Sequence, residues 1–227
     1  MQLRQVHLSL MALVVLAGWL WVGQVAAAAK PTDGSGPNQV LLTAASPLED
    51  LTEFALANDT PGMRQALKAY GDQAAAVNQV LSPQARLEMA SLLARIRQAE
   101  QKGDNQSVAL NAVEAYRVLV ESLDPIGLVV PIQVSRLDYS GFKLKVLLAA
   151  TPLDWPAMQK TVEEAGGLWY ALEPRVGDKA LRDAVKAVLA GLQQATRAEN
   201  AEMAVFAAQM DLALVDLLEG YFERAAH

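Results

Sequence analysis

The sequence contains no cysteine and only two histidines, His7 and His227. Without thiols there is no disulfide, no thiol nucleophile, no zinc–thiolate site, no iron–sulfur cluster and no c-type haem attachment. Basic side chains are outnumbered, 19 Lys and Arg against 25 Asp and Glu. A general nucleic-acid binder needs a basic face to neutralise phosphates, and this balance argues against one. Aromatics are sparse at 6%, so the place where they gather carries information. What is present is a chain of 227 residues, 52% hydrophobic, long enough for one sizeable core or two small ones.

The N-terminus has the three parts of a secretory signal. Arg4 supplies a positive start, and Leu8 to Val22 is an apolar run broken only by Ser9 and Gly18. Small residues follow from Ala26 to Ala29, which sets cleavage after Ala27 or Ala28. The run is about 15 residues, short of the roughly 20 that span a bilayer comfortably. The rival is an uncleaved anchor, because Trp19 to Val22 carry the run towards the boundary. Residues 1–28 therefore read as a cleavable signal peptide that sends the chain to the periplasm or outside the cell, with no membrane contact afterwards. Cleavage removes His7 and Arg4, so the mature chain keeps one terminal histidine and a balance of 18 − 25 = −7. Residues 29–39, rich in Pro, Gly, Ser and Asn, read as a flexible leader.

From Val40 onwards the apolar spacing is helical and alternating strand patterns are scarce. Ser46-Pro47-Leu48-Glu49 reads as a capping box with Pro at the first helical position, and Thr60-Pro61 and Ser82-Pro83 repeat the device. Gly103 and Gly127 are expected stops, and Asp124-Pro125 breaks the chain in two. The expected helices are 46–57, 61–80, 83–101, 106–123, 131–150, 156–172, 179–196 and 201–222. At an offset of 95 residues (154 − 59), Asp59, Pro61, Met63, Gly71 and Ala76 meet Asp154, Pro156, Met158, Gly166 and Ala171. Further on, Gln98, Asn105, Ala112 and Leu119 meet Gln193, Asn200, Ala207 and Leu214. The expectation is an all-α protein of two tandem duplicated four-helix units, residues 40–126 and 127–227, forming a pseudo-symmetric bundle.

Chemistry is harder to locate. One terminal histidine and no cysteine leave no ordinary Ser–His–Asp or Cys–His site, so a non-catalytic role is expected, with an enzyme built on two carboxylates from different helices the least favoured alternative. Glu163 and Glu164 are adjacent on a helix and point about 100° apart, which suits a solvated face better than a shared proton. Met63 and Met158, at equivalent places, are expected in the core rather than on a metal or haem. No cofactor or metal is implied, and no known family is recognised.

The segment Val129 to Ala150 is the most unusual, with Arg136, Asp138, Tyr139 and Phe142 near Gly141. Gly141 invites a close helix approach or leaves room for a ligand. Most aromatics of the mature chain fall in the second half, and Trp169 and Tyr170 stand where the first half has Ala74 and Ala75. The expected ligand-binding set is therefore Arg136, Asp138, Tyr139, Phe142, Trp155, Trp169 and Tyr170, around a small apolar ligand. The alternative is an accessory module that docks an envelope protein partner through its helix faces. Tyr221 and Phe222 offer a contact for a homodimer. A carrier calls for a deep apolar cavity, a docking module for a wide apolar patch.

Overall fold

The computed structural model describes residues 36–226, so the expected signal peptide lies outside the described residues. Eight helices follow in order: α1 (Pro37–Leu56), α2 (Thr60–Val80), α3 (Pro83–Lys102), α4 (Asn105–Glu121), α5 (Ile132–Leu148), α6 (Trp155–Leu172), α7 (Lys179–Arg197) and α8 (Ala201–Ala225). One short 3₁₀ turn, Glu173–Arg175, follows α6, and no strand occurs among the described residues. None of these helices is long and apolar enough to cross a membrane.

Side-chain caps set most helix starts. Asp59 accepts a hydrogen bond from the Gly62 amide at 3.0 Å, and Asp154 accepts one from the Ala157 amide at 3.0 Å. Ser82, Asp104, Asp178 and Asn200 cap α3, α4, α7 and α8 in the same way. Each such cap is worth about 1 kcal/mol. Gly103 ends α3 with a φ of 67°, a left-handed conformation that glycine adopts without a Cβ clash.

The exception is α1. It begins at Pro37, not at the Ser46–Pro47 capping box, and Pro47 lies inside the helix. Part of the expected leader, residues 37–39, is thus helical. An interior proline costs about 3 kcal/mol through the lost amide bond and ring crowding. Against that, Leu41, Leu48 and Leu51 are nearly or fully buried, each contributing about 1.5–3 kcal/mol. Burial along the whole stripe therefore overrides the local start signal.

Helix α1 packs on α2 and α4, and α3 packs on α4; α5 packs on α6 and α8, and α7 on α6 and α8. Two cores result, one around Leu48, Met63, Ile96 and Leu119, the other around Leu144, Met158, Leu192 and Leu218. Helix α4 also packs on α5, whose Ile132 and Val146 join the first core. The central helices thus run α1–α4–α5–α8, each packed on the next. No such packing joins α8 back to α1.

Candidate functional site

The packed seam between α4 and α5 is held by matched charges and donors. Glu114 pairs with Lys143 and with Arg117, whose Nε donates to it at 2.9 Å, and the Tyr139 hydroxyl donates to it at 3.2 Å. Burial alone would raise the Glu114 carboxyl, but the hydrogen bonds and charges of Lys143 and Arg117 hold it below the ordinary range. The Gln106 side chain donates to the Val146 carbonyl at 2.9 Å. At the centre, the Tyr116 hydroxyl donates to Asp138 Oδ2 at 2.7 Å, and the Tyr116 ring meets Phe142 edge-on at 6.3 Å.

Between α1 and α8 the chain leaves a cavity of about 360 Å³. Its apolar lining includes Leu41, Leu42, Leu119 and Leu123, with Phe142 and Leu212 completing the walls. Its polar lining is acidic: Glu49 and Glu53 from α1, Asp138 from α5, Asp216 and Glu219 from α8, with Tyr116 on the floor. Leu42, Ser135 and Glu219 also line an adjoining cavity of about 1030 Å³, which runs past Pro37 and the 126–130 loop to Glu223 and Arg224. The two form one groove.

Charge in this groove is poorly balanced. Burial pushes the Glu49 carboxyl up to about 7, and repulsion from Glu219, Asp50 and Asp216 adds to it while Tyr116 eases it slightly. Asp138, only 8% exposed, is raised well above the usual range by burial and then by Glu49. Glu219 is raised by burial and by its neighbours Asp216 and Glu223. Tyr116 has one proton to donate, and Asp138 Oδ2 takes it. Glu53 is paired with Lys145, whose ammonium also stands 5.9 Å from the Phe142 ring centre, so that cation is committed at the rim.

The seven expected ligand residues do not converge. Asp138 and Phe142 line the α1–α8 groove, whereas Arg136 and Tyr139 line a depression of about 660 Å³ on the other side of α5, against α4 and α6. Trp155 is half-buried against the second core, Trp169 is inside that core, and Tyr170 is 80% exposed. Helix geometry explains the scatter. Trp169 and Tyr170 are adjacent and so diverge by about 100°, and Trp155 is about 21 Å away along the axis. Gly141 does mark a close helix approach: an added Cβ would stand 2.6 Å from Leu212 Cδ2 and 3.3 Å from Asp211 Oδ2. Met63 and Met158 are core residues, and Glu163 and Glu164 are exposed. Phe222 is buried in the second core, and the Tyr221 hydroxyl accepts a hydrogen bond from the Gly177 amide at 2.7 Å.

Sequence reasoning missed Glu49, Tyr116, Asp216 and Glu219. The signal was there in part: Glu49, Asp50 and Glu53, and then Asp216, Glu219 and Glu223, recur at helical spacing with no cation among them. It also undervalued α8, where Met203, Phe206, Met210, Ala213 and Leu217 form an exposed stripe with alternating three- and four-residue spacing.

No family model, no curated protein and no solved structure matches this chain.

Proposed function

We propose that this is an exported, non-catalytic carrier that holds a small amphiphilic molecule in the groove between α1 and α8. The observation behind this reading is the groove itself, a cavity of about 360 Å³ in which leucines stand beside acidic and hydroxyl side chains from α1, α4, α5 and α8. That size falls in the range of small-molecule sites, which combine apolar walls with a few placed polar groups. The ligand moves accordingly from the aromatic second half to the space between the two halves. Export rests on the Arg4, Leu8–Val22 and Ala26–Ala29 pattern.

The same reading includes a duplication. Helix neighbours support it, because the pairs α1/α2, α1/α4 and α3/α4 have the counterparts α5/α6, α5/α8 and α7/α8. The equivalent caps Asp59 and Asp154, and the equivalent core residues Met63 and Met158, agree. In a duplicated ring, α8 would meet α1 as α4 meets α5, so the groove is the seam that one half does not close.

A second reading, docking of an envelope protein, draws on the α8 stripe, where Phe206 is 66% and Leu217 is 55% exposed. Native mass spectrometry of the protein purified from its own cells separates the two. A stoichiometric lipophilic mass released on denaturation supports the carrier; a bare chain that captures one specific protein supports docking and overturns the carrier. The mass of the chain also reports the leader, since cleavage after Ala27 or Ala28 removes His7 and Arg4.

A further inference from the structure

The carrier reading leaves the ligand's polar end unspecified, and the groove's own chemistry narrows it. Glu49, Asp138 and Glu219 reach one cavity from three helices. Tyr116 supplies a single O–H, and Asp138 Oδ2 receives it. Asp138 is more than nine-tenths buried and lines the cavity, and no hydrogen bond reaches its Oδ1 among the described residues. Glu49, Asp216 and Glu219 have no ion-pair partner among the described residues, while Lys145 is engaged by Glu53 and Arg224 stands in the adjoining cavity. A carboxylate would add only acceptors where acceptors are already in excess, and a neutral hydroxyl would bring one donor and no charge. A primary ammonium brings three N–H donors and one positive charge, which is what the cluster is short of. Among the described residues no group of three or more of these acids is placed to hold a metal ion. The leucine walls then accommodate an alkyl chain.

We infer that the α1–α8 groove recognises a primary aliphatic amine, its ammonium drawn to the acidic lining that Asp138, Glu49 and Glu219 share and its chain lying along Leu41, Leu42 and Leu212. This rests on the carrier reading above. Binding at neutral pH releases protons, because an ammonium favours the ionised form of Glu49, whose carboxyl burial pushes up to about 7. The charges facing Glu49 are those of Asp50, Asp138, Asp216 and Glu219, and all of them act in the same direction.

The test is isothermal titration calorimetry of the mature chain at pH 7 with n-decylamine and with decan-1-ol, in two buffers of different ionisation enthalpy. Decylamine is expected to bind one to one, at least tenfold more tightly than decanol, with proton release that decanol does not cause. Glu49→Gln and Glu219→Gln should each weaken decylamine about tenfold and leave decanol unchanged, and circular dichroism verifies that both variants fold. Ser46→Trp, at an exposed position on the groove wall, should block both probes. Equal affinity for the two probes, or indifference to both glutamine variants, overturns the amine while Ser46→Trp still blocking them keeps the groove. Failure of both probes to bind, or binding untouched by Ser46→Trp, overturns the groove reading as well.

Discussion

Two sides of the same helical bundle meet opposite fates. Between α4 and α5 the central acid has an answer, since Glu114 faces Lys143 and Arg117. Between α1 and α8 acids face acids, Glu49 and Asp50 against Asp216 and Glu219, and the helices stay apart around a cavity. The difference lies in charge pairing, because a buried carboxylate without a donor or cation costs more than the leucines beside it return.

That contrast can be broken from either side. The largest effect is expected at the packed seam, where Tyr116 is both ring and donor. Tyr116→Ala should cost about 3–5 kcal/mol in urea denaturation, the range for truncating a buried aromatic. A cost under about 1 kcal/mol would mean that the seam does not depend on it.

The open side should show itself through pH. Glu49 is raised from 4.5 to about 7 and Asp211, buried in the α5–α8 contact, from 3.8 to about 7. Both keep a proton in the folded chain at pH values where the unfolded chain has lost it. The folded state therefore binds more protons, and stability is greatest at the acid end and falls as pH rises from about 4 to 7. For Glu49 the fall is about 3 kcal/mol as an upper value. Glu49→Gln should remove its share, gaining stability at pH 8 and little at pH 4.5. A wild-type stability that rises over this interval contradicts the assignment.

Smaller changes sharpen the comparison. Glu114→Ala strands Lys143 and should cost about 2 kcal/mol, as expected for losing hydrogen bonds to charged groups. In the reverse direction, Glu219→Lys places a cation beside Glu49 and should raise stability at pH 8 by about 0.5–1 kcal/mol. The thermal midpoint reads both, and a Glu219→Lys chain that melts lower at pH 8 would show that repulsion is not what holds the groove open.

How much of this was legible in sequence follows from the range of the interactions. Caps at Asp59, Ser82 and Asp154 involve partners three residues away, so seven of the eight helix starts could be read closely. Helix α1 could not, since whether Pro47 begins a helix or sits within one is decided by Leu41, Leu48 and Leu51 packing on other helices. The site was half legible. Asp138 and Phe142 stood out through the oddity of their segment, and their groove partners did not, because Glu49 and Glu219 lie 170 residues apart and meet only through α4 and α5. The aromatic residues stand apart for a local reason: neighbours on one helix turn diverge, and one of them, Trp169, packs in the core.

The most direct measurement is an amide chemical-shift map of the isotopically labelled mature chain as n-decylamine is added at pH 7. A ligand in the groove moves signals of Leu42, Ser46, Glu49, Asp138, Asp216 and Glu219 together, with one saturating affinity. Shifts centred on Trp155 and Tyr170, or along the Met203–Leu217 stripe, would place binding elsewhere and contradict the groove.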